Sequence, residues 1–305
     1  MVKVLVCDKF GEDGVSLMAD AGLEVDVKFD MKPEGLKETV RDYDVVIVRS
    51  KTKITEEILQ SASNVKLVVR AGVGLDNIDL KAAERQGIKV MNTPEALTEA
   101  VAELTVGLIL SVARQIPTAD HSLKEGKWIK KKLTGRQLKG KTLGIVGLGR
   151  IGSRVGEIAK VLGMKIIAMD PFPNEDAFRK VGAKNVALEE LLAESDVICL
   201  HMPATPETQH MIGDNEFKRM KDGAIIVNAA RGSVIDEEAL LSALTSGKLS
   251  GAALDVYETE PPTNMELLRH PKVVCTPHIA SQTEDAQRDA SLICAKKVID
   301  FFQAK

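Results

Sequence analysis

Three polar side chains of this sequence follow apolar runs at points where buried strands are expected to end. Arg231 follows AIIVNAA, Asp255 closes SGAALD with Glu260 five residues further on, and His278 follows KVVCTP. A guanidinium binds a carboxylate through two hydrogen bonds, an imidazole donates or accepts a proton, and a carboxylate stabilises the charged imidazolium. Together they suit reduction of a 2-keto acid, or the reverse oxidation, in which a proton and a hydride are transferred.

Each of these residues also has an ordinary interpretation when it is considered alone. An arginine after a strand commonly points to solvent, a glutamate in Thr-Glu-Pro-Pro commonly lies in a turn, and a histidine after proline is commonly a loop residue. The acid–base hypothesis therefore depends on a hydride-carrying cofactor nearby. The other histidines show no metal-ligand spacing, so we predict no metal site. They are His121, His201, His210 and His270.

A glycine motif, GLGRIG at residues 147–152, supplies evidence for that cofactor. The apolar run 142–146 predicts a strand leading into it, and residues 153–162 have the pattern of a helix. In this arrangement the glycines let the backbone approach a pyrophosphate, and the helix N-terminus stabilises its charge. A tight turn without a ligand is the alternative. The motif and its flanking elements favour a dinucleotide site.

Asp170 follows the next apolar run, residues 165–169, and lies about 20 residues beyond the glycines, where the dinucleotide fingerprint places an acid. A carboxylate at this position binds both ribose hydroxyls and repels a 2′-phosphate. This predicts NAD rather than NADP as the cofactor. Because Asp-Pro dipeptides often start turns, a turn residue before Pro171 is the alternative for Asp170.

The composition argues against several other classes of function. With 44% hydrophobic residues, 28% charged residues and a net charge of -3, nothing suggests disorder or a basic surface, so we expect no nucleic-acid partner. The N-terminal apolar run is too short for a secretory signal, and no uninterrupted apolar stretch of about 18 residues occurs, so we expect no membrane partner. The four cysteines form no CxxC pair, which favours a reducing, cytoplasmic location.

Short β-branched runs alternate with helical patterns along the chain, which predicts an α/β fold of two doubly wound parallel-sheet domains. Five strands are predicted before PEALTEAVAELTVGLILSVAR (94–114), six follow it, and this segment predicts a long apolar helix that crosses between the domains. Residues 284–303 predict a terminal helix. We therefore predict a dinucleotide-binding domain at residues 94–281, inserted into a substrate domain formed by residues 1–93 and 282–305.

Taken together, these motifs resemble the D-isomer-specific 2-hydroxyacid dehydrogenase family, and the similarity covers nearly the whole chain. The predicted fold is accordingly a Rossmann NAD-binding domain inserted into a flavodoxin-like substrate domain. The segments that carry the resemblance are VRSKTKIT (48–55), RAGVGLDNID (70–79), MNTPEALTEAVAEL (91–104), KTLGIVGLGRIG (141–152), NAARGSVIDEEAL (228–240), GAALDVYETEPP (251–262) and TPHIASQT (276–283).

The resemblance implies roles for residues that the strand-end argument leaves undetermined. It implies that the arginine, glutamate and histidine named above are catalytic, that Ala229 and Asp255 lie against the nicotinamide, and that the backbone of residues 71–74 helps to hold the substrate carboxylate. The predicted catalytic residues are Arg231, Glu260 and His278. The predicted cofactor-binding residues are Gly147, Gly149, Arg150, Ile151, Gly152, Asp170, Ala229, Asp255, His278 and Ala280. The predicted substrate-binding residues are Arg49, Arg70, Val73, Gly74, Arg231 and His278.

Arg49 and Arg70 bear on the identity of the substrate. Each ends an apolar run, and ligands of doubly wound sheets bind beyond the carboxyl ends of the strands, so we expect both arginines near the substrate. Two guanidiniums suit a phosphorylated 2-hydroxy acid, since their geometry matches phosphate oxygens. Lys51 and Lys53 lie close to Arg49 in the sequence. They either add positive charge near the substrate or are simply solvated. The family members most similar in pattern oxidise 3-phospho-D-glycerate to 3-phosphohydroxypyruvate, opening serine biosynthesis. Glyoxylate or hydroxypyruvate reduction is the alternative activity, and an NAD-sensing corepressor is a remote one.

Two further expectations concern assembly and regulation. GKWIKKKLTG (126–135) resembles the family's dimer-forming arm, so we expect a homodimer in which Lys131 or Lys132 supplies charge to the neighbouring subunit's site. Many family members that act on 3-phospho-D-glycerate carry a C-terminal regulatory domain, whereas this sequence ends after its predicted terminal helix. We therefore expect no allosteric inhibition by serine through such a domain.

Overall fold

The computed structural model describes residues 1–303, which divide into two compact units. The first unit contains Met1–Thr98 and the segment from Ser281 to the end of the described chain, and the second contains Glu99–Ala280. The sequence prediction puts these divisions after residues 93 and 281. Each unit is built on one parallel sheet, which confirms the predicted class of two doubly wound α/β domains.

The first unit has a five-stranded parallel sheet in the order β2-β1-β3-β4-β5, the order of a flavodoxin-like fold. Its central strand is buried at all four positions because its sequence, VVIV, is apolar on both faces, as expected where helices cover both sides of a sheet. The strands are β1 (Lys3–Val6), β2 (Glu24–Val27), β3 (Val45–Val48), β4 (Leu67–Arg70) and β5 (Lys89–Asn92). The helices are α1 (Glu12–Asp20), α2 (Pro33–Thr39), α3 (Glu56–Ser61) and α4 (Leu80–Arg85).

The second unit has a seven-stranded parallel sheet in the order β12-β11-β10-β9-β6-β7-β8. Its strands are β6 (Thr142–Val146), β7 (Lys165–Met169), β8 (Lys184–Asn185), β9 (Val197–Leu200), β10 (Ala224–Asn228), β11 (Leu249–Leu254) and β12 (Val273–Cys275). Its helices are α5 (Thr98–Arg114), α6 (Ile116–Lys124), α7 (Arg150–Val161), α8 (Glu175–Val181), α9 (Leu188–Glu194), α10 (Asp214–Arg219), α11 (Glu237–Thr245) and α12 (Met265–Arg269). The chain then returns to the first unit with α13 (Glu284–Gln303), whose predicted bounds are confirmed.

Two local predictions about the second unit were wrong. Helix α7 begins at Arg150 rather than at Ser153, because Gly149 caps it and the last residues of the glycine motif already form its first turn. Strand β8 was missed because both of its residues are polar and exposed, so it has no apolar pattern. It pairs with β7 at the edge of the sheet.

Among the described residues, one helical segment, Pro94–Arg114, is long and apolar enough to cross a membrane by length and composition alone. Its most apolar 18-residue window has a mean hydropathy of 1.7, and 56% of the residues in that window are buried inside the protein. Ala102, Val106, Ile109 and Ala113 of this segment pack in the core of the second unit. These contacts make α5 a core helix of that unit.

Candidate active site

The parallel sheet of the second unit brings the carboxyl ends of its seven strands to one edge, because parallel strands share the same direction. Most of the residues singled out in the sequence lie within three residues of those ends. They are Gly147 after β6, Asp170 after β7, Arg231 after β10, Asp255 after β11 and His278 after β12. His201, for which no role was predicted, follows β9 at the same edge.

The glycine motif forms a tight turn whose shape depends on the absence of side chains. Gly147 has φ = 92°, in the left-handed region, and a Cβ there would lie 2.9 Å from the backbone of His201. A Cβ on Gly152 would lie 2.2 Å from the carbonyl oxygen of Gly147. At Gly149 the space is open within 4 Å, and no side chain caps the N-terminus of α7. The first N–H groups of α7 can therefore bind an anion.

The carboxylate of Asp170 is held beside this turn by backbone donors. Its Oδ2 accepts a hydrogen bond from the N–H of Leu148 at 2.9 Å, and its Oδ1 accepts one from Phe172 at 2.9 Å. Both bonds keep the negative charge at the end of β7. A ligand with a free diol suits this position, and one with an added phosphate does not.

Asp255 is fully buried and organises the segment that contains His278. Its Oδ1 accepts hydrogen bonds from Oγ1 of Thr276 at 2.6 Å and from the N–H of Ile279 at 2.8 Å. Its Oδ2 accepts from the N–H of Ala280 at 2.9 Å, and its carbonyl oxygen accepts from the N–H of His278 at 2.8 Å. One buried carboxylate thus fixes residues 276–280.

His278 and Glu260 form a hydrogen-bonded pair. Nδ1 of His278 lies 2.8 Å from Oε2 of Glu260, while Oε1 of Glu260 accepts a bond from the N–H of Tyr257 at 3.3 Å. His278 has φ = 52°, a strained backbone conformation for a non-glycine residue that the Asp255 bonds hold in place. The side chains of His278 and Glu260 are 47% and 40% exposed. Because Glu260 occupies Nδ1, Nε2 is the ring nitrogen left to exchange a proton with a ligand.

Arg231 is half-buried in the loop after β10. Its Nη1 donates to the carbonyl of Ala230 at 2.7 Å, and its own carbonyl accepts a bond from Nδ2 of Asn228 at 2.8 Å. The next residue, Gly232, touches the loop that leads to Glu260, since a Cβ there would lie 1.9 Å from the carbonyl of Tyr257. The absence of a side chain at Gly232 therefore allows the loops after β10 and β11 to pack together.

In the first unit, Arg49 follows β3 and is half-buried. Burial lowers the pKa of its guanidinium, and the Asp8 carboxylate opposes that shift. The two neighbouring lysines have ordinary surface environments. Lys51 is exposed and forms an ion pair with Asp30, and Lys53 is exposed.

Arg70, at the end of β4, folds its side chain over the loop that follows it. A Cβ on Gly72 would lie 2.6 Å from Nη1 of Arg70, so the guanidinium packs directly on this glycine. The loop is tied to β5, because Nδ2 of Asn92 donates to the carbonyl of Val73 at 2.5 Å and the N–H of Thr93 donates to the carbonyl of Gly72 at 2.9 Å.

Comparison with known proteins identifies the family. Residues 106–280 match the family model described as the D-isomer specific 2-hydroxyacid dehydrogenase, NAD binding domain. The chain belongs to this dehydrogenase family. Both the predicted resemblance and the predicted cofactor, NAD, are confirmed.

Two curated relatives and one solved structure illustrate the similarity of this dehydrogenase to others. The chain is 47% identical to D-3-phosphoglycerate dehydrogenase of Archaeoglobus fulgidus over 300 residues, which are 98% of this chain and 57% of the relative. It thus spans little more than half the length of such relatives. It is 48% identical to hydroxypyruvate reductase of Thermotoga maritima over 285 residues, 92% of each chain. D-lactate dehydrogenase of Aquifex aeolicus, complexed with NAD and lactic acid, superposes with a TM-score of 0.88 at 32% identity, covering 99% of this chain and 96% of that one.

The turn of this dehydrogenase has the shape that a dinucleotide requires. Open space at Gly149 lets a phosphate approach the backbone, the uncapped N-terminus of α7 offers N–H donors, and Asp170 supplies a carboxylate one strand away. Among residues 1–303, no group of three or more His, Cys, Asp or Glu side chains is arranged to hold a metal ion.

Sequence reasoning missed several residues that support the loops of the predicted site residues. Thr276 and Gly232 shape the loops that carry His278 and Arg231 in the second unit, while Asp8 and Asn77 hold the loop after β3 in the first unit. A threonine or asparagine in a loop gives no pattern that identifies its partner. For Asp8 a signal was available, because this charged residue follows the apolar run of β1.

Proposed function

We propose that this chain oxidises 3-phospho-D-glycerate to 3-phosphohydroxypyruvate with NAD, the first step of serine biosynthesis. The observation that carries the proposal is the His278–Glu260 pair. The buried Asp255 holds the segment that contains His278, and this segment lies at the same edge of the sheet as the dinucleotide turn. The names of the Archaeoglobus fulgidus and Methanocaldococcus jannaschii relatives support the choice of substrate.

The cofactor is assigned to the second unit, as the dinucleotide-binding domain. The N–H groups at the start of α7 bind the pyrophosphate, and Asp170 binds the ribose hydroxyls of the adenosine. When bound there, NAD would supply the acceptor for the hydride that leaves C2 of the alcohol. Its proposed contacts are Gly147, Gly149, Arg150, Ile151, Gly152, Asp170, Ala229, Asp255, His278 and Ala280.

His278 is the proposed acid–base residue. In the oxidation, Nε2 takes the proton of the substrate hydroxyl while Nδ1 keeps its hydrogen bond to Glu260. The Glu260 carboxylate stabilises the imidazolium that forms and fixes the ring orientation. Arg231 binds the substrate carboxylate through its guanidinium.

The first unit is assigned as the substrate domain. We assign Arg49 and Arg70 to the anionic groups of the substrate and the backbone of Val73 and Gly74 to its carboxylate. The half-buried position of Arg49 and the packing of Arg70 on Gly72 support this, because both restrict the guanidiniums before a ligand binds.

Reduction of hydroxypyruvate or glyoxylate is the second candidate activity. It is favoured by one observation: the chain is 48% identical to the hydroxypyruvate reductase of Thermotoga maritima over 285 residues. Both activities use the same acid–base pair. They differ in the need for a phosphate-binding cation.

The experiment that separates the two compares kcat/KM for substrates with and without the phosphate. We expect phosphohydroxypyruvate to exceed hydroxypyruvate and glyoxylate by at least about 100-fold, the discrimination of a pocket built for polar recognition. Arg49→Gln and Arg70→Gln should reduce this preference, while Arg85→Gln, at an exposed ion pair with Glu56, should leave it unchanged. Equal efficiency on phosphorylated and unphosphorylated acids would select the reductase.

A homodimer is the proposed assembly. Three large apolar side chains on and after α6 are exposed: Ile116 is 51% exposed, Leu123 58% and Trp128 79%. Ile116 and Leu123 line a surface groove of about 410 Å³ together with Leu110 and Ala119. A second copy covering this face would remove apolar surface from water. Sedimentation of wild type and Leu123→Glu tests this, with the wild type expected at twice the mass of the variant.

The proposed location is the cytoplasm, with small hydroxy acids as the partners rather than nucleic acid or membrane. Three of the four cysteines are buried: Cys7, Cys199 and Cys294. Burial raises the pKa of the Cys7 thiol to about 12 and also raises the pKa of the other two. These thiols therefore stay protonated and unreactive, as suits packing residues of a protein in a reducing compartment.

A further inference from the structure

The loop after β3, residues 49–53, is held at its backbone by a buried acid. Asp8, at the carboxyl end of β1, is only 6% exposed. Its Oδ2 accepts hydrogen bonds from the N–H of Arg49 at 2.5 Å and the N–H of Thr52 at 3.2 Å, and its Oδ1 accepts from Oγ1 of Thr52 at 2.8 Å. One carboxylate therefore satisfies three donors of this loop.

A carboxamide holds the same two loop residues through their carbonyl groups. Nδ2 of Asn77 donates to the carbonyl of Arg49 at 2.7 Å and to the carbonyl of Thr52 at 2.6 Å. The backbone N–H of Ile54 donates to the carbonyl of Asn77 at 2.8 Å, which brings the segment after the loop alongside. Arg49 and Thr52 thus have their N–H groups bound by Asp8 and their carbonyl groups bound by Asn77.

Burying a carboxylate costs free energy unless hydrogen bonds replace its contacts with water. The three hydrogen bonds that Asp8 accepts from Arg49 and Thr52 offset this cost, so the buried charge of Asp8 serves to bind the loop. Surface loops usually keep some freedom, whereas this loop has two of its residues fixed at both backbone groups. Fixed backbone at Arg49 restricts where its guanidinium can lie.

We infer that Asp8 and Asn77 are positioning residues, which fix the loop at Arg49–Thr52 so that Arg49 binds the anionic part of the substrate. The inference rests on the proposed function, because it takes Arg49 as a substrate-binding residue. Both residues bind the loop that carries Arg49, so we expect them to act on substrate affinity and not on proton transfer. Preorganisation of this kind lowers the entropy that a ligand must remove on binding.

Steady-state kinetics of Asp8→Ala, Asp8→Asn and Asn77→Asp test the inference. Because hydrogen bonds to a charged group are lost, we expect D8A to raise KM for the hydroxy acid about tenfold, with kcat within about twofold of wild type. N77D should act in the same direction, since its carboxylate would face two carbonyl oxygens. The affinity for NADH should not change in either variant.

The conservative variant separates geometry from charge. In D8N the amide oxygen can accept from both N–H groups and the amide nitrogen can donate to Oγ1 of Thr52, so KM should stay within about threefold of wild type. If Asp8 merely neutralised Arg49, D8N would behave like D8A. A loss of folded protein would lower apparent kcat without raising KM, which also contradicts the inference.

Two matched controls lie in the same unit, away from the loop. Asp44 accepts a bond from the N–H of Lys3 and Asn64 donates to the carbonyl of Arg41, so D44A and N64D remove the same kinds of contact elsewhere. Both should leave KM unchanged. A rise in KM equal to that of D8A would mean general loosening of the unit, and the inference would be rejected.

Amide hydrogen exchange without substrate provides a second measurement that does not depend on activity. The N–H groups of Arg49 and Thr52 should exchange at least about tenfold faster in D8A than in wild type or D8N. Unchanged exchange would show that Asp8 does not fix the loop, and the inference would be overturned. If wild type turns over no 2-hydroxy acid while the exchange result holds, the proposed function fails and the two residues hold the loop for another purpose. If D8A and N77D are active and their KM values are unchanged, the inference is overturned while the proposed function stands.

Discussion

Replacing Asp255 with asparagine tests how the structure holds His278, the proposed acid–base residue. Asp255 is fully buried, and its two carboxylate oxygens accept bonds from Thr276, Ile279 and Ala280. Asparagine keeps the shape but has one oxygen and one NH₂ group. If the oxygen keeps the bonds of Thr276 and Ile279, the NH₂ group faces the N–H of Ala280, and two donors oppose each other.

The magnitude follows from the bonds that are lost. A hydrogen bond to a charged group contributes about 1.5–3 kcal/mol, and removal of a buried charge recovers part of its desolvation cost, so we expect D255N to destabilise the second unit by about 1.5–3 kcal/mol. His278 sits between the released contacts with φ = 52° and should relax from this strained conformation. A displacement of about 1 Å at a reacting group lowers turnover about 100-fold.

Hydrogen exchange of the slowest amides of β11 measures the stability of this unit, and steady-state assays measure kcat. Asp236→Asn is the matched control, because Oδ1 of Asp236 also accepts two backbone N–H bonds, at the start of α11. Asparagine caps a helix as well as aspartate does, so D236N should change stability by less than about 0.5 kcal/mol. D255N with wild-type stability and turnover would refute the role given to the buried carboxylate.

Three further predictions concern single residues of the second unit. His278→Gln should lower kcat by about 10²–10⁴-fold while NADH binding, followed by fluorescence, stays normal; near-normal turnover would remove its acid–base role. Asp170→Ala should raise the NADP-to-NAD ratio of kcat/KM at least about tenfold, because repulsion of the 2′-phosphate is lost, and an unchanged ratio would contradict the assignment. Burial lowers the pKa of His201 from 6.5 to about 4, so the unfolded chain binds a proton that the folded chain does not, and stability should fall as pH drops from 6.5 to 4, by up to about 3 kcal/mol. His201→Asn should flatten that pH dependence in urea unfolding, and an unchanged slope would show that His201 does not titrate in this way.

Most of the fold could be predicted because burial on both faces of a parallel sheet leaves continuous apolar runs. The strand VVIV at Val45–Val48 is buried at every position, and such runs mark nearly all strands of both sheets. Strand β8 escaped detection because an edge strand of two polar residues needs no apolar sequence. The start of α7 was displaced by three residues because glycines, which usually end helices, here belong to its first turn.

The candidate site was predictable only as far as strand ends determine it. Arg231, Asp255 and His278 were found because each follows an apolar run, and the sheet places those ends at one edge. Their supporting contacts could not be found this way, since they depend on the path of each loop. The bond from Thr276 to Asp255 joins residues 21 positions apart, and the sequence contains no pattern that pairs them.

The fate of the hydrogen on C2 of the substrate tests the central claim most directly. Oxidation of D-3-phosphoglycerate deuterated at C2 should transfer the deuterium to C4 of the reduced nicotinamide, because His278 removes only the hydroxyl proton and the C2 hydrogen leaves as hydride. Mass spectrometry of the NADH formed should therefore find one deuterium per turnover. Deuterium released to water, or acid consumed without labelled NADH, would contradict the account.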